Sequence, residues 1–534
     1  MPLKTSIARL AVCLGIMLGA SARADDAGRR YLALDRSLHG ALKQARMVLG
    51  TSGRTRKITS TMDQPWQKGH SLQHGVITGV FRDHDGLYRM VYHARPNPDE
   101  SVIDDTAVMR SRDGIHWEPY TTGVKVDGSN LISVEATPKP GSVTVFYDSR
   151  APESERYKAV KGEANTSYVT ASADGVHFGP LTKVFDHRNE HIISAFYDTR
   201  RGQYVMYGRI RGPKSWIRHN GKQGLDKQRR GAAMHATSGK WPDPWDNVGN
   251  TVLDPEIIWD YAEGYNARRP RASTGIRPDF YQPAVSPYHG QYIGMPTTFY
   301  RDARRQYNSD KDYAWTGTGP QYPTLMHSLD GVHFTLADTS LRGAHSILDL
   351  TPHLRRNPAP DGTRRNEREV GQIHAAPTIL ETKDRLLLYY FVRNDTHYEG
   401  YEGEREDRGH YVTELRVDGF AGIRADKGRV GEWCTTTVNV PDGARALLVN
   451  AKVAGRMRLE VLDAKGVPVE TLSLDDSVAF TGDEIRAPMR WNSGRFAAVA
   501  GRKVQLRFVI EDGEIYGFAF SVAEAPSAPS RRPR

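Results

Sequence analysis

The chain has 534 residues, too many for one ordinary core and enough for about two to four domains. Its formal charge is +10. Three of the positive charges (Lys4, Arg9, Arg23) fall in a leader and three (Arg531, Arg532, Arg534) in a tail, so the body sits near +4, which is not a nucleic-acid-binding balance. Of its two cysteines, Cys13 lies in the leader, so the single thiol Cys434 excludes a zinc–thiolate cluster or CxxC redox chemistry.

The leader comes first. A positive start (Lys4, Arg9) precedes an apolar run from Leu10 to Leu18, and Ala22-Arg23-Ala24 is a small-x-small cleavage site. Residues 1–24 therefore read as a signal peptide. No later stretch approaches the ~20 apolar residues that span a bilayer. The expectation is an exported protein, secreted or periplasmic, with no membrane insertion. Residues 25–64 read as a helical or extended segment. Leu32, Leu34, Leu38, Leu42 and Met47 make an apolar stripe that predicts a helix over 27–50.

Residues 65–420 carry two repeats. One reads Ser111-Arg-Asp113-Gly114-Ile-His116-Trp117, then Ser172-Ala-Asp174-Gly175-Val-His177-Phe178, then Ser328-Leu-Asp330-Gly331-Val-His333-Phe334. Asp-Gly makes a tight turn, because Gly accepts positive φ and Asp bonds its own backbone. The aromatic then packs between sheets. The intervening His recurs where no site is needed, so it reads as turn structure. The other repeat pairs Phe81-Arg-Asp83 with Tyr88 to Tyr92, Phe146-Tyr-Asp148 with Tyr157, and Phe196-Tyr-Asp198 with Tyr204 to Tyr207, a hairpin each time. Together they mark five units, near 65–120, 121–185, 186–250, 275–340 and 365–420. Four strands per unit predict a five-bladed β-propeller with long loops at one face.

Past Asp418-Gly419-Phe420 the pattern changes. Trp433 to Val440, Ala446 to Val453, Met457 to Leu462, Val504 to Ile510 and Ile515 to Phe520 read as strands separated by Gly and Asp turns. They predict an all-β ending, a β-sandwich over 421–522. The Pro-, Ser- and Arg-rich residues 523–534 read as a disordered tail.

These motifs resemble the five-bladed propeller glycosidases of the invertase and arabinanase type. More closely they are similar to a bacterial family of invertase-like glycosyl hydrolases, over about residues 65–520. The likeness rests on the S-x-D-G-[IV]-H turns, on Leu415-Arg-Val-Asp418-Gly419-Phe420, on Gly482-Asp483-Glu484 and on Tyr516-Gly-Phe518-Ala-Phe520. It implies an exported glycoside hydrolase acting on an oligo- or polysaccharide. The W-M-N-D-P-N-G, R-D-P and E-C segments of invertases are missing, so the substrate is not implied.

Such an enzyme needs carboxyl groups on both sides of the scissile bond. Acids placed before the innermost strand of three successive units are Glu190, Asp279 and Glu369. These are the expected catalytic residues, against the plainer reading that each pairs with Arg188, Arg277 or Arg368. His74, Glu135, His93, Tyr281, Gln372 and His374 are the expected sugar contacts, since imidazoles and amides bond hydroxyls and an aromatic face stacks on a sugar ring. Arg271, in the cluster with Arg268 and Arg269, is the place to read an acidic glycan. No cofactor is expected, although the architecture leaves room for a structural Ca²⁺. No H-E-x-x-H or D-x-D cluster argues for a catalytic metal. The alternatives are a non-catalytic glycan-binding propeller and a phosphate-dependent phosphorylase.

Overall fold

The computed structural model describes residues 28–58, 75–94, 105–125, 127–135, 143–163, 166–185, 189–211, 230–237, 239–245, 250–253, 276–302, 321–337, 372–393 and 409–522. Their regular structure is strand, with a few 3-10 turns between. No helix among the described residues is long and apolar enough to cross a membrane. The chain divides into two compact units. One joins residues up to 46 with those from 423 onward, and the other holds residues 47–422.

In the larger unit, the first four-stranded sheet runs Ile77–Arg82, Tyr88–Ala94, Asp105–Ser111, Trp117–Pro119. The second runs Thr144–Tyr147, Tyr157–Glu163, Thr166–Ser172, Thr182–Phe185. The third runs Asn189–Asp198, Gln203–Arg211, Arg230–Ala236, Asn250–Leu253. A fourth is built from Val285–Tyr288, Gln291–Gly294, Met326–Ser328 and Thr335–Leu336.

Ser133–Val134 and His177–Phe178 make a two-stranded parallel pair, and the other strands form one seven-stranded sheet, in the order Ile276–Gln282, Thr297–Asp302, Gln321–Pro323, Gln372–Glu381, Arg385–Arg393, Gly409–Arg416, Thr55–Lys57. This corrects the expected five-bladed β-propeller. Among the described residues all the sheets are open, and none closes into a propeller or a barrel. The last two repeats do not yield two separate four-stranded sheets. The Gln321–Gln372 parallel bridge instead joins the 276–323 strands to the 372–416 strands. Repeated turns specify hairpins, which are local. Strand order across a sheet is set by long-range pairing that no turn encodes.

The repeated turns form as the sequence predicts. Ser111 Oγ accepts the Gly114 N–H at 2.9 Å, and Asp113 Oδ1 accepts those of Ile115 and His116, both at 2.8 Å. The same bonds recur at Ser172–His177 and Ser328–His333. Gly114, Gly175 and Gly331 have φ of 75°, 73° and 71°, a conformation that favours glycine. His116, His177 and His333 turn Nδ1 onto their own turn aspartate at 2.6, 2.8 and 2.6 Å. Trp117, Phe178 and Phe334 are buried between sheets.

The second repeat laces sheet to sheet. The Tyr157 hydroxyl donates to Asp83, that of Tyr204 to Asp148 at 2.7 Å, and that of Tyr292 to Asp198. Each tyrosine belongs to the sheet following that of its aspartate. Two more hydroxyls reach turn carbonyls, Tyr389 to Gly114 at 2.7 Å and Tyr207 to Gly331 at 2.9 Å.

The smaller unit is a single nine-stranded sheet, which corrects the expected β-sandwich. Its central strands are continuous where the sequence pattern suggests breaks: Ala444–Asp463 and Lys503–Val522 run 20 residues each and pair along their length. Gly455 and Gly513, which look like turn glycines in the sequence, make no turn. They sit where a Cβ would come within 2.4 Å of Glu511 O and 3.0 Å of Val453, so glycine lets the two strands approach without ending either. The N-terminal segment joins the same sheet. Arg30–Leu32 pairs with 517–519 and His39–Lys43 with 432–435, so the expected helix is replaced by strands. Gly40 fits this pairing, since a Cβ there would stand 2.8 Å from Thr435 O. Trp433 stacks on Phe508 (5.1 Å) and Tyr31 on Phe518 (4.8 Å) to fill the core.

Removing one laced hydroxyl should be costly because its aspartate stays buried. Tyr204→Phe is expected to lower unfolding free energy by about 1–2 kcal/mol in a denaturant titration; an unchanged midpoint would show that the lacing is not stabilising.

The aspartates also predict acid sensitivity. Burial pushes the carboxyls of Asp83, Asp148, Asp113, Asp174 and Asp330 up, but their hydrogen bonds outweigh it and hold them below the ordinary range, Asp330 at about 2. A group depressed in the folded state binds fewer protons there than when unfolded. Its contribution is therefore complete above its unfolded value of about 4 and is lost as pH falls through its folded value. Tm by calorimetry should hold between pH 7 and about 5 and fall steeply between about pH 4 and 2. A flat Tm across that window would count against the aspartate bonds.

Candidate functional site

The seven-stranded sheet has one apolar and one polar face. Phe280, Ile373 and Val392 are buried on the first. On the other, register sets a row of directly opposed residues: Asp279, Phe299, Gln321, Gln372, Arg393. Opposed residues share a face, with strands about 4.8 Å apart. A second row, two residues along each strand and three along the bulged strand from Asp279, holds Gln282, Thr297 and Pro323, then His374, Phe391 and His410. The polar members are all buried, Arg393 being the most open at 7% and Asp279 and Gln321 at 0%. Buried polar groups are costly unless paired, so this concentration on one face is unusual for a structural sheet. Gln321 and Gln372 each begin a strand and Arg393 ends one, so the first row lies near the strand ends, where segments 303–320, 338–371 and 394–408 enter and leave.

Tyr281 sits at a register shift between Phe280 and Gln282. Such a bulge re-aims a side chain. Its ring meets Phe299 edge-on at 5.9 Å and lies 6.4 Å from the His374 ring. The guanidinium of Arg209, from the third sheet, lies 4.4 Å over the same ring. His374 Nδ1 is 3.3 Å from Thr297 Oγ1. Glu190 sits at a second register shift, between the pairs Asn189–Ile210 and His191–Arg209. Its backbone is thus beside Arg209, the residue that covers Tyr281.

Asp279, Tyr281, Gln372 and His374 are thereby brought together on one face. His93 is on the first sheet. It is joined to the polar face through Gly75, whose N–H donates to His93 O at 2.8 Å and whose carbonyl accepts from His410 Nε2 at 2.7 Å. Burial pushes the His93 imidazole down to about 3, so it is neutral at ordinary pH and serves no acid role there. Glu135 is exposed on a bend after Ser133–Val134 and is not part of the face. His74, Arg271 and Glu369 lie outside the described residues. Among the described residues, no group of three or more His, Cys, Asp and Glu could hold a metal ion.

Sequence reasoning missed Arg209, Gln282, Thr297, Gln321, Arg393 and His410. For Arg209 a signal existed: a lone charge inside the apolar run Tyr204 to Ile210. For Gln321 it did not, since only the parallel pairing of Gln321–Pro323 with Gln372–Glu381 places it beside Gln372.

No protein-family model matches the chain, and no curated protein matches it significantly. Solved structures do, at low identity. An N-acetylgalactosamine deacetylase from F. plautii, in complex with blood group B trisaccharide, matches at 13% identity and TM-score 0.39, covering 71% of this chain and 97% of its own. A glycoside hydrolase family 43 arabinoxylan arabinofuranohydrolase from Bacillus subtilis, in complex with cellotetraose, matches at 12% and 0.32, covering 86% and 98%. An endo-arabinase from Bacteroides thetaiotaomicron matches at 9% and 0.34, covering 65% and 99%. These matches include several carbohydrate-active enzymes, but at such TM-scores none fixes the fold or chemistry of this chain. The resemblance to the invertase- and arabinanase-like propeller family is corrected accordingly. No family model supports it, and no sheet among the described residues closes as that fold requires.

Proposed function

We propose that the chain is an exported enzyme acting on glycans, a glycoside hydrolase whose substrate binds along the polar face of the seven-stranded sheet. The observation that carries this reading is the double row itself. A carboxylate (Asp279), amides (Gln282, Gln321, Gln372), imidazoles (His374, His410) and a stacking ring (Tyr281) stand on or beside one buried face. Such a set reads hydroxyls and stacks on sugar rings, and it supplies an acid where a glycosidic bond would lie.

In this account Asp279 is one carboxyl of the reacting pair, and Glu190 and Glu369 are the candidates for the other. One carboxylic acid gives its proton to the leaving glycosidic oxygen as the C–O bond breaks. The other carboxylate either attacks the anomeric carbon or takes a proton from the attacking water. Water ends on the anomeric carbon, and the released alcohol keeps the proton.

The test is hydrolysis of a panel of neutral and acidic glycans, with and without inorganic phosphate. Wild type is expected to release reducing sugar from at least one member at a phosphate-independent rate. Asp279→Asn should lose about 10²- to 10⁴-fold in kcat while keeping its fold, and Glu190→Gln or Glu369→Gln should do the same. Release by a folded Asp279→Asn variant at the wild-type rate, or no release from any glycan, would contradict the proposal.

A further inference from the structure

Two buried amides on this face have polar atoms that meet no partner among the described residues. Gln321 is 0% exposed, and neither its Oε1 nor its Nε2 meets a protein group. Gln282 is 1% exposed, and its Oε1 is likewise unmatched. Gln321 stands two strands from Asp279, about 9.6 Å at the usual spacing, with Phe299 between them. A folded core rarely keeps such groups, because desolvating them without a bond is unfavourable. They persist where a ligand, or the ordered water that a ligand displaces, completes them.

The atoms left open define that ligand. A side-chain amide oxygen only accepts and its NH₂ only donates. Gln321 therefore needs a donor and an acceptor side by side, and Gln282 Oε1 needs a further donor. A carboxylate or a fully ionised phosphate offers acceptors alone and would leave both oxygens unpaired. Adjacent hydroxyls offer both roles.

We propose that Gln321, supported by Gln282, is a specificity-determining residue that binds two neighbouring hydroxyls of a neutral sugar. The substrate class is then a glycan that presents a free vicinal diol of an uncharged ring at this subsite, rather than one held there by an acidic group as the Arg268–Arg271 cluster suggests. The inference rests on the glycan-acting reading and deepens it.

The test has two readouts on Gln321→Met, a change that keeps length and removes the amide. The first is thermal melting without sugar. An amide with no protein partner contributes nothing favourable to folding, so Tm should stay level or rise. A fall of several degrees would mark the amide as structural and overturn the inference. The second is kinetics and calorimetric binding with arabino-, xylo-, manno- and galacto-oligosaccharides and with oligogalacturonate. At least one neutral oligosaccharide should bind wild type, and the variant should raise its KM and Kd about 10-fold or more. Equal affinity of both proteins for a neutral substrate would overturn the role of Gln321 and leave the glycan-acting reading standing. Binding of oligogalacturonate alone would overturn the neutral class. Binding and cleavage of none of them by wild type would defeat the glycan-acting reading, and this inference with it.

Discussion

The larger unit depends on a repeated hydrogen bond, from a tyrosine hydroxyl in one sheet to a buried aspartate at the edge of the sheet before it. Tyr157–Asp83, Tyr204–Asp148 and Tyr292–Asp198 are three instances of one device. Open sheets packed face to face hold together mainly by non-directional burial, which leaves them free to slide. A charge-assisted bond at a fixed place on each sheet removes that freedom. An arginine joins each aspartate, Arg89 to Asp83, Arg150 to Asp148 and Arg201 to Asp198, which offsets the cost of burying the charge. A site whose groups come from different sheets needs such fixed spacing. Arg209 reaches Tyr281 across a sheet boundary, and a shift of one residue would separate them.

This device is partly legible in the sequence, because both partners lie in the repeat. Asp83, Asp148 and Asp198 close one half of the pattern, and Tyr157 and Tyr204 open the other. What the pattern lacks is direction: nothing in it says that the tyrosine bonds the previous unit's aspartate rather than its own. The S-x-D-G turns are fully legible, since every bond in them spans at most three residues. Sheet composition is not. The parallel bridge joins positions as distant as Gln321 and Gln372, and the strand Thr55–Lys57 pairs with 411–413 at the other end of the unit's sequence. The N-terminal leucines also mislead. Leu32, Leu34 and Leu38 suit a helix stripe as well as they suit strands, and pairing with 517–519 decides the matter.

The candidate site is half legible for a related reason. Gln372 and His374 stand near the start of a strand that apolar patterning marks out, and Asp279 and Tyr281 lie inside Ile276–Gln282 beside Phe280, so the sequence points to them. Gln321 and Thr297 belong to short strands bounded by residues of no strong pattern. His93 stands out as a polar residue on a strand, yet its burial leaves it neutral and on another sheet. Glu135 stands out as an acid and is exposed. Residue type alone thus overcounts acids and histidines and undercounts amides, whose role depends on what they face.

The central claim is that the polar face of the seven-stranded sheet is where substrate lies. A crystal structure of Asp279→Asn grown with an oligosaccharide would test it most directly. The account predicts a sugar ring along the first row, within hydrogen-bond distance of Gln321 and Gln372 and beside Tyr281. A sugar bound instead on the nine-stranded sheet, with the polar face holding none, would contradict it.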